Sequence, residues 1–146
     1  MIFLGIDPGK SGGVFAFGDL RIPIIHKCPD TIKDMAELIW EIKSLDARYY
    51  TVIELVHSFP GNGSVSSFKF GRNYGEWLGI LAALSMPYVQ VSPNKWMKHF
   101  GAMPKEKKDR KNHIKHLAQQ RFPDLKITLA TSDAVLMALY AKDIYK

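Results

Sequence analysis

The stretch Ile2-Phe3-Leu4-Gly5-Ile6-Asp7-Pro8-Gly9 decides how this chain folds. Its unbroken apolar run predicts a buried strand, and Asp-Pro-Gly is a sequence typical of a tight turn, so the strand ends at Asp7. A carboxylate in this position is costly to bury unless it is paired or bound to a cation. Asp7 is therefore either a functional residue or one that only shapes the turn.

The rest of the chain predicts a mixed α/β fold. Residues 12–18 and 21–27 resemble strands and, with the first strand, predict an antiparallel meander. Pro23 has no backbone N–H, which indicates that the third strand lies at an edge. A β-branched run over 50–55 predicts a central strand, and 88–91 predicts a short one. Helical spacing and capping residues predict helices at about 31–45, 66–85, 93–99, 107–121 and 132–142.

Length and charge narrow the class of protein. We expect one domain spanning residues 1–146. The 20 Lys and Arg against 14 Asp and Glu give a net charge of +6, which favours a polyanionic partner without requiring one. No run approaches the roughly 20 apolar residues that cross a membrane, so we expect a soluble, cytoplasmic protein without a membrane partner. The single cysteine, Cys28, excludes an internal disulfide and suits a reducing compartment.

Three carboxylates stand at the ends of predicted elements. Asp7 ends the first strand, Glu54 ends the fourth, and Asp133 opens the last helix. If the first and fourth strands are adjacent and parallel, Asp7 and Glu54 lie side by side. A divalent cation relieves the repulsion between them, and Mg²⁺ prefers oxygen ligands. Two such ions roughly 4 Å apart would generate a hydroxide and stabilise the leaving 3′ oxygen at a phosphodiester, which predicts a nuclease.

Each of these acids also has a structural interpretation. Glu54 could pair with a nearby lysine or arginine, and Asp133 could stabilise a helix N-terminus. The three together favour a functional site more strongly than any one of them, because all three fall at element ends.

Five segments carry a resemblance that spans nearly the whole chain. They are Gly5-Ile6-Asp7-Pro8-Gly9, Val52-Ile53-Glu54, the helix from 66 to 75, Val91-Ser92-Pro93-Asn94-Lys95-Trp96, and Ser132-Asp133-Ala134-Val135-Leu136-Met137-Ala138. In this order they resemble the RuvC family of Holliday junction resolvases, in a compact form like those of bacteriophages. The resemblance implies a ribonuclease-H-like fold, in which helices flank a mixed five-stranded sheet of three antiparallel strands plus two parallel ones.

The same resemblance implies a function. A RuvC-like protein is a homodimer that makes paired nicks across a four-way DNA junction. It implies that Asp7, Glu54 and Asp133 are catalytic and bind Mg²⁺, with Mn²⁺ as a substitute. An alternative in another class, a nucleotide-binding domain of the actin and sugar-kinase kind, would need a second phosphate-binding Asp-Gly hairpin and a longer chain.

One position departs from the family pattern. A fourth ligand, Asp or His, usually lies three residues before the final Asp, and here that residue is Ala130. Thr131 and Ser132 are poor direct ligands for Mg²⁺. The chain is then a natural member with a differently completed site, or a version in which an acid has been replaced. A branched-DNA binding protein with weakened or absent catalysis is the corresponding alternative function.

A basic segment follows the predicted fifth strand and its short helix. Its cationic residues are Lys105, Lys107, Lys108, Arg110, Lys111 and Lys115. Lys107, Lys108, Lys111 and Lys115 share a helix face, which predicts either a phosphate-binding surface or a solvated face diluted by neighbouring acids. The resemblance implies that some of Lys108, Lys111 and Lys115 lie near the scissile phosphate, and we favour Lys108 and Lys115 as catalytic. Lys69 and Arg72 extend the expected DNA-binding surface.

Aromatic residues follow the second acidic motif. In the family an aromatic near this position stacks on a base at the junction centre, and His57, Phe59 and Phe68 are the candidates here. Stacking of this kind contributes roughly 1–3 kcal/mol per base. Phe59 and Phe68 could instead pack into the core.

The second predicted helix bears on oligomeric state. Its apolar residues are Phe70, Tyr74, Trp77, Leu78 and Leu81. This surface exceeds what one small sheet needs, so a helix from a second copy could cover it. The alternative is ordinary packing on the sheet of the same chain.

Overall fold

A mixed five-stranded sheet forms the centre of the protein. The computed structural model describes residues 1–58 and 60–145. The strands are β1 (Ile2–Asp7), β2 (Gly13–Gly18), β3 (Ile24–Lys27), β4 (Tyr49–Glu54) and β5 (Tyr88–Val91), in the spatial order β3-β2-β1-β4-β5. The first three strands are antiparallel, and β4 and β5 run parallel to β1. The predicted ribonuclease-H-like sheet is therefore confirmed.

Five helices join and cover these strands. They are α1 (Ile32–Ser44), α2 (Ser64–Ala83), α3 (Pro93–His99), α4 (Lys107–Arg121) and α5 (Ser132–Ile144). Each lies within two residues of its predicted bounds. Among the described residues, no helix has the length and apolarity of a membrane span.

The third strand is shorter than predicted. It begins at Ile24, whereas the predicted strand begins at Arg21. Pro23 precedes it and has no N–H to donate to β2, so the ladder starts one residue later. The strand pairs with β2 on one side and forms an edge of the sheet, as Pro23 indicates.

The two faces of the sheet bury separate apolar clusters. Alternate side chains of β1, those of Ile2, Leu4 and Ile6, pack with residues of α1 and α2. Phe3 on the opposite face packs with residues of α3, α4 and α5. All six residues of β1 are buried, which explains its continuous apolar sequence.

Helix α5 lies directly against the backbone of β1. A Cβ atom on Gly5 would be 2.1 Å from the carbonyl oxygen of Ala134 and 2.7 Å from the amide nitrogen of Ala138. Both of those atoms belong to the backbone and cannot rotate away. Glycine is therefore required at position 5 for α5 to approach this closely, and the approach sets where the first turn of α5 lies.

The apolar side chains in the second half of helix α2 pack within the chain. Trp77 and Leu81 are fully buried in the cluster shared with α1, and Tyr74 and Leu78 pack partly against it. For these side chains the structure favours packing on the sheet over contact with a second copy. Phe70 remains 38% exposed.

The contact between Gly5 and α5 predicts a specific sensitivity. We expect Gly5→Ala to lower the free energy of unfolding by about 2–3 kcal/mol, because the added methyl group forces α5 away from the sheet. Chemical denaturation monitored by circular dichroism measures this.

Gly75→Ala is the matched control. A Cβ there meets no atom within 4 Å, so a helical alanine should stabilise the protein by up to about 1 kcal/mol. Equal stability of the two variants would contradict the steric argument.

Candidate active site

Two acids end adjacent parallel strands. The last register pair between β1 and β4 is Ile6 with Ile53, and Asp7 and Glu54 follow immediately on the two strands. Neighbouring strands are roughly 4.8 Å apart, so the two side chains start from neighbouring backbone positions. The tight turn after Asp7 is held by Cys28, whose Sγ donates to the Asp7 carbonyl oxygen at 3.1 Å.

The third acid arrives from the helix that lies on β1. Asp133 is in the first turn of α5, next to Ala134, and is 8% exposed. Asp7 is 9% exposed. Burial, followed by the charges of Asp133 and Glu54, raises the pKa of Asp7 well above its ordinary value. Three acids that are distant in sequence therefore act on one another electrostatically.

A tryptophan holds one oxygen of Glu54. Burial raises the pKa of Glu54 to about 7, and a hydrogen bond from Trp96 opposes this shift. The indole Nε1 of Trp96 donates to Glu54 Oε2 at 2.7 Å. The sequence predicted a strand-to-helix step here and gave Trp96 no role. One sequence feature could have indicated this contact. Trp96 lies one turn into the helix that follows β5, and β5 is the strand that pairs with β4 at Glu54.

A lysine of the basic helix pairs with Asp133. Lys111 Nζ lies 3.6 Å from Asp133 Oδ2. Burial raises the pKa of Asp133, while the charges of Lys111 and Arg110 lower it. Lys111 also lowers the pKa values of Asp7 and Glu54, so its charge reaches the whole cluster.

The two lysines favoured from sequence lie elsewhere on this helix. Lys108 is exposed and Lys115 half-buried, and neither forms an ion pair with a described carboxylate. Their catalytic role stays a prediction. The structure brings Lys111 to the acids instead, because the buried face of α4, which carries Ile114 and Ala118, turns Lys111 toward α5.

The carboxylates of Asp7, Glu54 and Asp133 are suitable ligands for a hard cation, but their side chains do not point at one common position. No three His, Cys, Asp or Glu side chains within residues 1–58 and 60–145 are grouped closely enough to share one ion. Glu54 is directed at Trp96 and Asp133 at Lys111, while no described residue donates a hydrogen bond to the Asp7 carboxylate. With Glu54 held by Trp96, ligation of one ion therefore requires the Asp7 and Asp133 side chains to rotate from their backbone positions. Buried carboxylate oxygens are the ligands that Mg²⁺ prefers.

Two clefts lie near the ends of β1 and β4. One, of about 810 Å³, is lined by Glu54, His57, Lys105 and Arg110 among others. Arg110 donates to the carbonyl oxygen of Lys105 at 2.9 Å and so holds the segment ahead of α4 at the edge of this cleft.

The other cleft lies beside the turn that follows β1, at Gly9 and Lys10. It has a volume of about 1040 Å³ and is lined by Lys10, Lys69 and Arg72 among others. Phe70 lines both clefts and packs on the turn after β1, where a Cβ on Gly9 would be 2.6 Å from its ring. Lys10 was missed from sequence, because one lysine in a turn carries no pattern.

The remaining predicted DNA-binding residues lie on the surface or outside the residues that the structure describes. Phe68 is 72% exposed, so the alternative that it packs into the core is wrong. Lys107 is exposed at the start of α4. Phe59 lies outside the described residues.

Ala130 lies in the turn immediately before α5. Thr131, the N-cap of α5, is 5% exposed, and its Oγ1 accepts from the backbone N–H of Thr128 at 3.0 Å. Ser132 is fully buried, with its Oγ 3.5 Å from Asp133 Oδ1. Both hydroxyls are therefore committed to local structure, and neither replaces an acid at position 130.

Comparison with solved structures identifies the architecture. Thermus thermophilus RuvC in complex with a Holliday junction substrate matches with a TM-score of 0.64 and 16% identity, over 99% of this chain and 96% of that one. A second structure of Thermus thermophilus RuvC matches with a TM-score of 0.56 and 15% identity, over 95% and 92%. The chain has the RuvC fold. No family model and no curated protein sequence matches it.

The RuvC fold accounts for the arrangement of the acids. Nearly the whole chain superposes, so β1, β4 and α5 belong to the shared core and not to an added segment. At this level of identity the likeness extends to the fold, and the resemblance of the five sequence motifs agrees with it.

The raised pKa of Glu54 predicts how stability depends on pH. The protonated carboxyl is favoured in the folded protein, so folding takes up a proton between the ordinary pKa of 4.5 and the folded value of about 7. Stability is full below this window and falls as the pH rises through it. In a chelating buffer, we expect Glu54→Gln to recover up to about 3 kcal/mol of unfolding free energy at pH 8 and little at pH 4.

Glutamine keeps an acceptor for Trp96, so this substitution removes the charge alone. Urea denaturation across the pH range measures the effect. Glu41→Gln, on the exposed side of α1, is the control. A pH profile identical in the Glu54→Gln and unmodified proteins would disprove the assigned burial penalty.

Proposed function

We propose that this protein is a magnesium-dependent endonuclease that cuts branched DNA, with the four-way junction as its substrate. The observation that supports the proposal is that Asp7, Glu54 and Asp133, from β1, β4 and α5, act on one another electrostatically beside Lys111 in a RuvC fold. The structure of RuvC from Thermus thermophilus that matches with the higher TM-score is of a complex with a Holliday junction substrate. Nearly the whole length of that protein is covered, which supports a substrate of the same kind.

The three acids would hold Mg²⁺, with Mn²⁺ as a substitute. Bound there, the metal supplies an activated water and neutralises charge on the leaving oxygen. Lys111 offsets the negative charge of the cluster, so a phosphate can approach acids that would otherwise repel it. The low exposure of Asp7 and Asp133 keeps bulk water from screening these charges.

Basic residues of α4 and of the two clefts would hold the DNA backbone. Lys105, which lines the first cleft, and Lys107, Lys108, Lys111 and Lys115 of α4 supply a sequence-independent grip, with Lys108 and Lys115 proposed near the scissile phosphate. Lys69 and Arg72 supply it at the second cleft. His57, Phe59 and Phe68 are proposed to stack on unpaired bases at the branch.

Paired nicks on a symmetric junction require two active sites. We therefore propose a homodimer that acts on DNA in the cytoplasm, of a bacterial host if the protein comes from a bacteriophage.

A second function is favoured by one residue. Ala130 removes a ligand position that the family usually fills, and neither Thr131 nor Ser132 replaces it. A protein that binds branched DNA with weakened catalysis has the same fold and the same basic surfaces.

The primary test is cleavage of labelled DNA. We expect nicking of a four-way junction in Mg²⁺, less of a flap and none of a linear duplex, with activity lost in chelator. Asp7→Asn should lower the rate at least about 1000-fold, because the central carboxylate ligand is lost. Asp124→Asn, at an exposed loop position, is the matched control.

Three outcomes separate the functions. Cleavage that is selective for the junction and depends on Asp7 supports the nuclease. Tight junction binding without cleavage supports the second function, and absence of both binding and cleavage contradicts each of them.

A further prediction concerns Ala130. We expect Ala130→Asp to raise the nicking rate by about tenfold or more, because a fourth carboxylate completes the ligand set beside Asp133. Ala130→Asn has nearly the same size without the charge and should leave the rate near that of the unmodified protein. Equal rates for the two variants would mean that the three acids already complete the site.

A further inference from the structure

The hydrogen bond between Trp96 and Glu54 joins the hydrophobic core to the acid cluster. The Trp96 side chain is fully buried, and its one polar atom, Nε1, donates to Glu54 Oε2 at 2.7 Å. That separation is at the short end of the range for a hydrogen bond to a charged acceptor. A buried, rigid group thus contacts a residue whose own side chain carries three rotatable bonds.

The fold fixes where the indole can point. Glu54 pairs with Val91 of β5, and the Leu55 N–H donates to the Val91 carbonyl oxygen at 2.8 Å. The chain enters α3 two residues after Val91, and Trp96 lies in its first turn with its N–H bonded to the Ser92 carbonyl oxygen at 3.3 Å. The ring packs in the cluster that covers the α5 face of the sheet. Packing therefore sets the direction of the N–H bond independently of Glu54.

A second tryptophan shows that burial alone does not require such a bond. Trp77 is also fully buried, in the cluster on the opposite face of the sheet. Its Nε1 nevertheless has no hydrogen-bond partner among the described residues. Within residues 1–58 and 60–145, the protein therefore buries one indole with a hydrogen-bond partner and one without. Burial of the Trp96 ring alone does not account for its bond to Glu54.

We propose that Trp96 is a positioning residue that fixes the Glu54 carboxylate for cation binding. Its donor occupies Oε2 and leaves Oε1 available to a metal ion. A ligand held in one orientation loses less conformational freedom when the ion binds, which tightens binding without a new ligand. This inference rests on the proposed metal site and adds to it a residue that does not touch the ion.

The direct test uses a paramagnetic probe on the unmodified protein. Three indole N–H resonances arise from Trp40, Trp77 and Trp96, and Trp96→Phe and Trp77→Phe assign them. During titration with Mn²⁺, the Trp96 resonance should broaden first, because its hydrogen-bond acceptor is a ligand of the ion. Trp77 lies in the other cluster and Trp40 is 61% exposed on α1, so both should broaden later. Broadening of all three together would overturn the proposal.

The affinity test compares two matched substitutions by calorimetry. Trp96→Phe keeps the aromatic packing and removes the donor, and should weaken Mn²⁺ binding about tenfold. Trp77→Phe makes the same change at a buried indole without a partner and should leave Mn²⁺ affinity unchanged. If both variants fold and bind Mn²⁺ with equal affinity, Trp96 has only a structural role and the proposal is wrong. If Trp96→Phe does not fold, a Mg²⁺ titration of the unmodified protein decides: the Trp96 N–H resonance should keep its hydrogen-bonded chemical shift on binding, and a large upfield shift would show that Glu54 leaves Trp96 to bind the ion.

The failures of the two proposals are distinguishable. Absence of any Mn²⁺ binding to the unmodified protein removes the metal site, and the proposed nuclease with it. Binding that depends on Asp7 but not on Trp96 leaves the nuclease intact and overturns this inference alone.

Discussion

The close approach of α5 to β1 is the constraint on which the rest of the structure depends. It is possible because residue 5 has no side chain, so the helix backbone lies where a Cβ would otherwise be. The consequence reaches the acid cluster, since Asp133 directly precedes Ala134, the residue that faces Gly5. A single steric condition at the centre of a strand thus brings a helix carboxylate to the ends of β1 and β4.

Burial of carboxylates near one another opposes folding, and the protein compensates the three acids to different extents. Asp133 has an ion pair with Lys111, Glu54 has a neutral donor in Trp96, and Asp7 has neither among the described residues. Asp7 is also the acid whose pKa is raised by both of the others. A carboxylate that is buried, repelled and without a donor is destabilising unless a cation joins it, so Asp7 is the residue that binding would stabilise most.

Much of this arrangement is readable in the sequence because it follows from local rules. The strand from Ile2, the turn after Asp7 and the position of Glu54 at a strand end depend on apolar runs and turn residues, and the structure agrees with them. The contacts of Trp96 and Lys111 are different in kind. They depend on the rotation of α3 and α4 about their axes, which long-range packing decides. A lysine-rich helix face indicates a basic surface, but it does not indicate which lysine turns inward.

The difference between local rules and long-range packing also explains why alanine at position 130 is compatible with this fold. The turn before α5 is stabilised by the bond from the Thr128 N–H to Thr131 Oγ1, and the helix is set by Gly5, so nothing local requires an acid at position 130. An acid there would add one more carboxyl to the turn before α5, close in sequence to Asp133, whose pKa burial already raises. If the three acids hold a cation, a fourth carboxylate would strengthen its binding and would destabilise the protein in the absence of the cation. Alanine at position 130 has neither effect.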